Sequence, residues 1–243
     1  MKELTGYPSI DNIHNRDYNY LERNPIIPNM SIYNSINLIS NFYRKEEAID
    51  CLELNASYDE MLKDAITLSK ALKELGIKKG NIVSVAMPNY YQAVVVYLAC
   101  NRIGAITTFI NAMSSIDEVL GYLNEFESSL FINYDKDNEY NQKIKEGSKV
   151  KNIITLHKNE INTKNYSSII TPANGYNDDL SFNDIGSISK YYKNPIYTLY
   201  GGKEDSLILF TSGSTGNPKS VVLTNENLLA SGIYMKNTGR IKA

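Results

Sequence analysis

Tryptophan is absent from this chain, and cysteine and histidine occur only twice each. Cys51 and Cys100 lie far apart and form no C-x-x-C pair. That excludes a disulfide framework and fits two reduced, mostly buried thiols in a cytoplasmic protein. His14 and His157 each lack a second ligand-type residue at metal spacing, so neither a zinc site nor a histidine-based triad is expected. No sign of charge dominates, because 25 Lys and Arg stand against 27 Asp and Glu for a net charge of −2. Proteins that hold nucleic acid by bulk charge carry a basic face, so nucleic acid is not an expected partner. Long apolar runs are missing too. The longest, Ala93 to Cys100, is far short of the ~20 residues that span a bilayer, so no transmembrane segment is expected. The first twenty residues include Asp11, His14, Arg16 and Asp17 and no apolar core, and no secretory leader is expected.

What is present can build a core. Hydrophobic residues make up 42% of the 243 and aromatics 10%, which excludes global disorder. The length suits one large domain or a domain with a satellite. Residues 1–48 read as a polar, Pro-containing N-terminal arm. Within it Ser31 to Tyr43 can form a helix with Ile32, Ile36, Ile39 and Phe42 on one face. Order begins near Ala48. Ser57 and Glu60 fit a capping box, and Met61, Ala65, Leu68, Leu72 and Leu75 then repeat at helical spacing until Gly76 closes the helix.

Ile82 to Ala86 reads as a strand broken by Pro88-Asn89. Tyr91 to Arg102 reads as a helix buried on most sides and closed by Gly104, and Ala105 to Ile110 as the next strand. This is a βαβ unit, with parallel strands and a right-handed crossover. Ser115 and Glu118 open a second capped helix through about Phe126, and Leu130–Ile132 and Ile153–Thr155 add strands. The alternation predicts an α/β fold with a doubly wound, mostly parallel sheet over residues 49–156. Residues 157–204 lose periodicity and are expected to be an irregular excursion with one or two short helices, such as Asp178 to Tyr191.

The chemistry lies in residues 205–224. A short apolar strand, Leu207 to Phe210, runs into Thr211-Ser212-Gly213-Ser214-Thr215-Gly216-Asn217-Pro218-Lys219, and the β-prone Ser220-Val221-Val222-Leu223 follows. Glycines let backbone amides face an anion, hydroxyls donate to phosphate oxygens or ligate magnesium, and lysine adds a point charge. A Walker A loop requires glycine before the lysine and a helix after it. Here Pro218 removes an amide and a strand follows, so that reading fails. A plain surface turn would not need the lysine or strands on both sides. Residues 225–236 read as a helix.

The stretch TSGSTGNPK resembles the phosphate loop of the adenylate-forming superfamily, which includes AMP-forming acyl-CoA synthetases. Leu75 to Ala105 is similar to that superfamily's upstream region, and the opening GYPSID is similar to the start of some bacterial acyl-CoA synthetases. The resemblance implies that residues 49–243 are an incomplete AMP-binding domain, the N-terminal part of the large domain of such an enzyme. It implies ATP, a carboxylic acid (a fatty acid) and coenzyme A as substrates, with Mg2+. Thr211, Ser212, Gly213, Ser214, Thr215, Gly216 and Lys219 would hold the triphosphate, with Thr211 as the loop's magnesium contact.

Asn81, Ser220 and Asn225 depart from the family pattern. Asn225 stands where histidine is common near the acyl site, which bears on substrate preference. No catalytic side chain is assigned, because relatives carry the catalytic lysine and the ribose-binding aspartate downstream of this loop. The expected partner is therefore the chain's own missing C-terminal portion, and the chain alone is expected not to catalyse adenylation. A noncatalytic nucleotide-binding module and a peptide-synthetase adenylation domain are the competing readings.

Overall fold

The structure, a computed structural model, describes residues 25–169, 180–198, 200–211 and 219–237. The first described helix, α1 (Ile32–Tyr43), begins at Ser31, whose hydroxyl oxygen accepts the amide of Asn34. Its apolar face is narrower than the sequence suggests. Ile32 and Ile36 pack on the core, while Ile39 and Phe42 are exposed and Tyr33 and Ser40 are buried instead. The helix therefore docks through its first half.

A small antiparallel hairpin follows, β1 (Glu47–Cys51) with β2 (Leu54–Ser57), and it leads into α2 (Tyr58–Glu74). Ser57 and Glu60 form the capping box, each accepting or donating as the sequence requires. Met61, Ala65, Leu68 and Leu72 form the buried stripe, and Gly76 takes the left-handed conformation (φ 86°) that ends it.

Glu60 carries a pH prediction. Its hydrogen bond with Lys164, then that from the Ser57 amide, lowers its pKa from 4.5 to about 2. The folded value lies below the unfolded one, so the stabilisation is complete above about pH 4.5 and is lost as pH falls toward 2. Urea denaturation should find wild type more stable than Glu60→Gln by about 1 kcal/mol at pH 6, with the gap narrowing by pH 3. A gap that stays constant would show that the carboxylate's charge contributes nothing.

Among the described residues the main sheet has seven strands. They are β3 (Ile82–Ala86), β4 (Ile106–Phe109), β5 (Leu130–Tyr134), β6 (Asn152–Leu156), β7 (Leu180–Ser181), β8 (Asp205–Thr211) and β9 (Lys219–Thr224). Their order is β7-β6-β5-β3-β4-β8-β9. Every pair is parallel except β8 with β9. The chain builds outward in both directions from β3, as a doubly wound sheet does. Helix α3 (Tyr91–Ile103) links β3 to β4 and ends at Gly104 in the left-handed region. It packs on the same side as α2, with Val83, Val85, Leu130, Ile132 and Ile154. Helices α4 (Ile116–Glu125) and α5 (Asn138–Gly147) cover the other face over Phe131 and Ile153. Among the described residues no helix is long and apolar enough to cross a membrane.

The excursion is more ordered than its composition suggests. It holds two 3-10 turns (Lys158–Glu160 and Tyr166–Ser168), strand β7, a third 3-10 turn (Phe182–Asp184) and α6 (Ile185–Ser189). The helix expected from Asp178 is shorter at its start, because Leu180–Ser181 pairs with Ile154–Thr155 as a strand. A buried polar anchor holds this segment. The Asp64 carboxylate, fully enclosed, accepts from the Asn165 amide, the Tyr166 amide and the Tyr91 hydroxyl. Burial raises its pKa, and the three hydrogen bonds it accepts act in the opposite direction.

Candidate functional site

The residues singled out in sequence sit on the β8–β9 hairpin. Strand β8 lies beside β4 in parallel, with Leu207 against Thr107 and Ile208 against Thr108. The far end of β8 therefore points the same way as the carboxyl ends of β3, β4 and β5, the edge where open α/β sheets bind ligands. Thr211 is the last residue of β8 and faces Lys219, the first of β9, in register. Both are exposed, and the Thr211 hydroxyl donates to the Lys219 carbonyl oxygen at 3.2 Å. Ser212, Gly213, Ser214, Thr215 and Gly216 lie outside the described residues.

Two features support the hairpin. Near its tip the Phe210 ring packs against Tyr122 at 4.3 Å between centroids and against Phe126 at 5.6 Å. At its base Asn225 opens α7 (Asn225–Asn237) with only 2% of its surface exposed. Its side chain is committed inward. Its Oδ1 accepts from Asn101 Nδ2 at 2.7 Å and from the Ile32 amide at 3.1 Å. Its Nδ2 donates to the carbonyls of Gly201 and Glu204, each at 3.2 Å. Sequence reading missed Asn101 and Ser206, which complete this cluster. The only signal was an asparagine on the buried side of a helix otherwise read as apolar.

At the sheet's carboxyl edge the loops after β3 and β4 enclose a crevice of about 490 Å³, lined by Pro88, Asn89, Asn111 and Met113 among others. A second, more apolar hollow of about 380 Å³ lies against α3 between Tyr90, Tyr97, Phe109, Leu207 and Leu228. Phe109, at the end of β4, also lines the crevice, and β4 is the strand that pairs with β8. Among the described residues, Thr211 and Lys219 are the two of the sequence-predicted set that the structure places, side by side and exposed at this edge.

Comparison with known proteins agrees with this geometry. The family model for AMP-binding enzyme matches residues 41–242. An acetyl-coenzyme A synthetase of Citrobacter koseri is 32% identical over 182 residues, covering 71% of this chain and 27% of that enzyme. One of Xylella fastidiosa is 30% identical over 201 residues, covering 79% and 30%. The chain thus spans less than a third of the length of these relatives. Among solved structures, a long-chain-fatty-acid–CoA ligase of Archaeoglobus fulgidus superposes with a TM-score of 0.71 at 19% identity, over 90% of this chain and 41% of that one. An anthranilate CoA ligase in complex with anthranoyl-AMP does so with a TM-score of 0.66 at 16% identity, over 83% and 36%. At these identities the structural likeness shows the fold, a mostly parallel α/β sheet shared over part of each ligase.

Proposed function

The chain belongs to the AMP-binding enzyme family, and on that premise we propose that it forms the phosphate-gripping part of an AMP-forming carboxylate–CoA ligase. In the reaction a carboxylate oxygen attacks the α-phosphorus of ATP and pyrophosphate departs, leaving an acyl-adenylate. The coenzyme A thiol then displaces AMP to give a thioester. This chain's part is to hold the β- and γ-phosphates in line and to stabilise charge on the departing pyrophosphate, the terms that dominate phosphoryl chemistry.

The observation that carries the reading is the pairing of Thr211 with Lys219 across a hairpin tip at the carboxyl edge of the parallel strands. The intervening hydroxyls and glycines, Ser212 to Gly216, are the donors proposed to wrap the phosphates, with Lys219 steadying their charge. The magnesium ion fits Thr211, since a hydroxyl that donates to a carbonyl keeps oxygen lone pairs free for a hard cation. When bound, that ion would supply charge neutralisation on the phosphates.

Two acids remain in view for the proposed enzyme, which we place in the cytoplasm. The matched relatives are acetyl-coenzyme A synthetases, which favours acetate. The upstream region, Leu75 to Ala105, resembles that of fatty-acid enzymes and favours a fatty acid. Isothermal calorimetry on the chain should detect Mg-ATP uptake that Lys219→Ala weakens about tenfold, as loss of one charge-assisted contact does. A chain that takes up no Mg-ATP would overturn the nucleotide assignment.

A further inference from the structure

Asn225 uses all four of its side-chain hydrogen-bonding positions and Asn101 uses three. Beyond the four bonds of Asn225, Asn101 Oδ1 accepts the Tyr33 amide at 2.8 Å, and its Nδ2 also donates to Ser206 Oγ at 2.8 Å. Ser206 in turn shares a hydrogen bond with the Tyr97 hydroxyl at 2.8 Å. The Ile32 and Tyr33 amides are among the first-turn donors of α1 that no helical carbonyl can satisfy. Two asparagines distant in sequence therefore cap one helix and clasp the base of the hairpin. The bonding is mixed, with both donors engaged on each amide, two bonds accepted by Asn225 Oδ1 and one by Asn101 Oδ1, and only an amide side chain supplies that set.

We propose that Asn225, acting with Asn101, is the positioning residue of the β8–β9 hairpin and fixes where Thr211 and Lys219 are carried. The register with β4 ends at Ile208, so the rest of β8 projects beyond that strand pairing. Lys219–Thr224 spans about 20 Å, over which a tilt of about 5° at the base moves the tip by nearly 2 Å. Displacements of that size are enough to misalign donors around a phosphate. The role assigned to the tip rests on the proposed nucleotide site. The bonding at the base does not.

The test uses the whole chain with three substitutions. Asn225→Leu removes all four side-chain bonds, Asn225→Asp keeps the two acceptor contacts but turns oxygen toward two carbonyls, and Tyr91→Phe removes a buried hydrogen bond to Asp64, whose other donors are Asn165 and Tyr166 and not residues of the hairpin. Amide hydrogen exchange should rise at least tenfold at Ile32 in Asn225→Leu, relative to the β5 amides, and stay low in Asn225→Asp. Mg-ATP affinity by calorimetry should fall about tenfold in both Asn225 variants and stay unchanged in Tyr91→Phe, although all three melt earlier. Should Asn225→Leu fail to fold, Asn225→Asp decides the matter. Wild-type affinity in the Asn225 variants, or an equal loss in Tyr91→Phe, would reduce the cluster to general stability. If the wild-type chain takes up no Mg-ATP, the nucleotide reading fails and takes the positioning role with it, whatever exchange shows at Ile32.

Discussion

Replacing Thr211 with alanine should slow carboxylate-dependent ATP–pyrophosphate exchange about a hundredfold, the usual effect of deleting one preorganised donor worth ~3 kcal/mol. The measurement needs a polypeptide that contains this chain and turns the reaction over. The reasoning begins with the placement of Thr211 at the end of β8, exposed, opposite Lys219. Its hydroxyl contributes one contact to the hairpin, to the Lys219 carbonyl, so its loss should barely alter thermal stability. A large kinetic effect with a small thermal one would therefore report on bound phosphate. Thr211→Ser keeps the hydroxyl and should retain most of the rate. An exchange rate in Thr211→Ala within about threefold of wild type would remove Thr211 from the mechanism, because ~3 kcal/mol could not then be lost.

The largest effect on stability is expected at Gly186, in α6. A Cβ built there falls well inside contact distance of the Tyr166 carbonyl oxygen and 2.5 Å from that of Ile169. Both atoms are backbone, so neither can swing aside as a side chain would. The turn they belong to is itself held, since Asp64 grips the Asn165 and Tyr166 amides. Alanine must push α6 away from the 3-10 turn and open the packing of Ile185 and Ile188 on α2. Overpacking of this kind costs about 3 kcal/mol. In a chain of this size that lowers Tm by roughly 6–12 °C. Thermal unfolding followed by circular dichroism checks it, and a Tm within about 2 °C of wild type would show that α6 can shift freely.

Much of the sheet was legible because its signals were local. Both capping boxes, at Ser57 and Ser115, mark helix starts that the structure keeps. Gly76 and Gly104 mark where the chain turns back, and the βαβ unit from Ile82 follows from its periodicity. The elements that sequence reading passed over have weak local signals. Helix α5 reads NEYNQKIKEG, in which Ile144 is the one fully buried apolar side chain, so too few apolar residues mark it as a core-facing helix. The β1–β2 hairpin turns at Leu52, which adopts φ 57° without the glycine or asparagine that would announce it. Strand β7 has two residues and exists only because β6 offers an edge.

The site divides in the same way. Its tip is spelled out in consecutive residues, Thr211 to Lys219. Its base depends on Asn101 and Asn225, which meet across 124 positions, and no window along the chain brings them together. Sequence reading therefore linked Asn225 to substrate choice, while the structure spends its side chain on four internal hydrogen bonds.

The partnership of β4 with β8 joins Thr107 to Leu207, one hundred positions along the chain, and is the least local pairing in the sheet. Closing so long a loop carries an entropic cost that nearer neighbours avoid, and topologies with distant contacts fold more slowly. During refolding the central strands should consolidate first and the hairpin should dock in a later, slower event. The edge that carries Thr211 and Lys219 would then be the last part of this sheet to take shape.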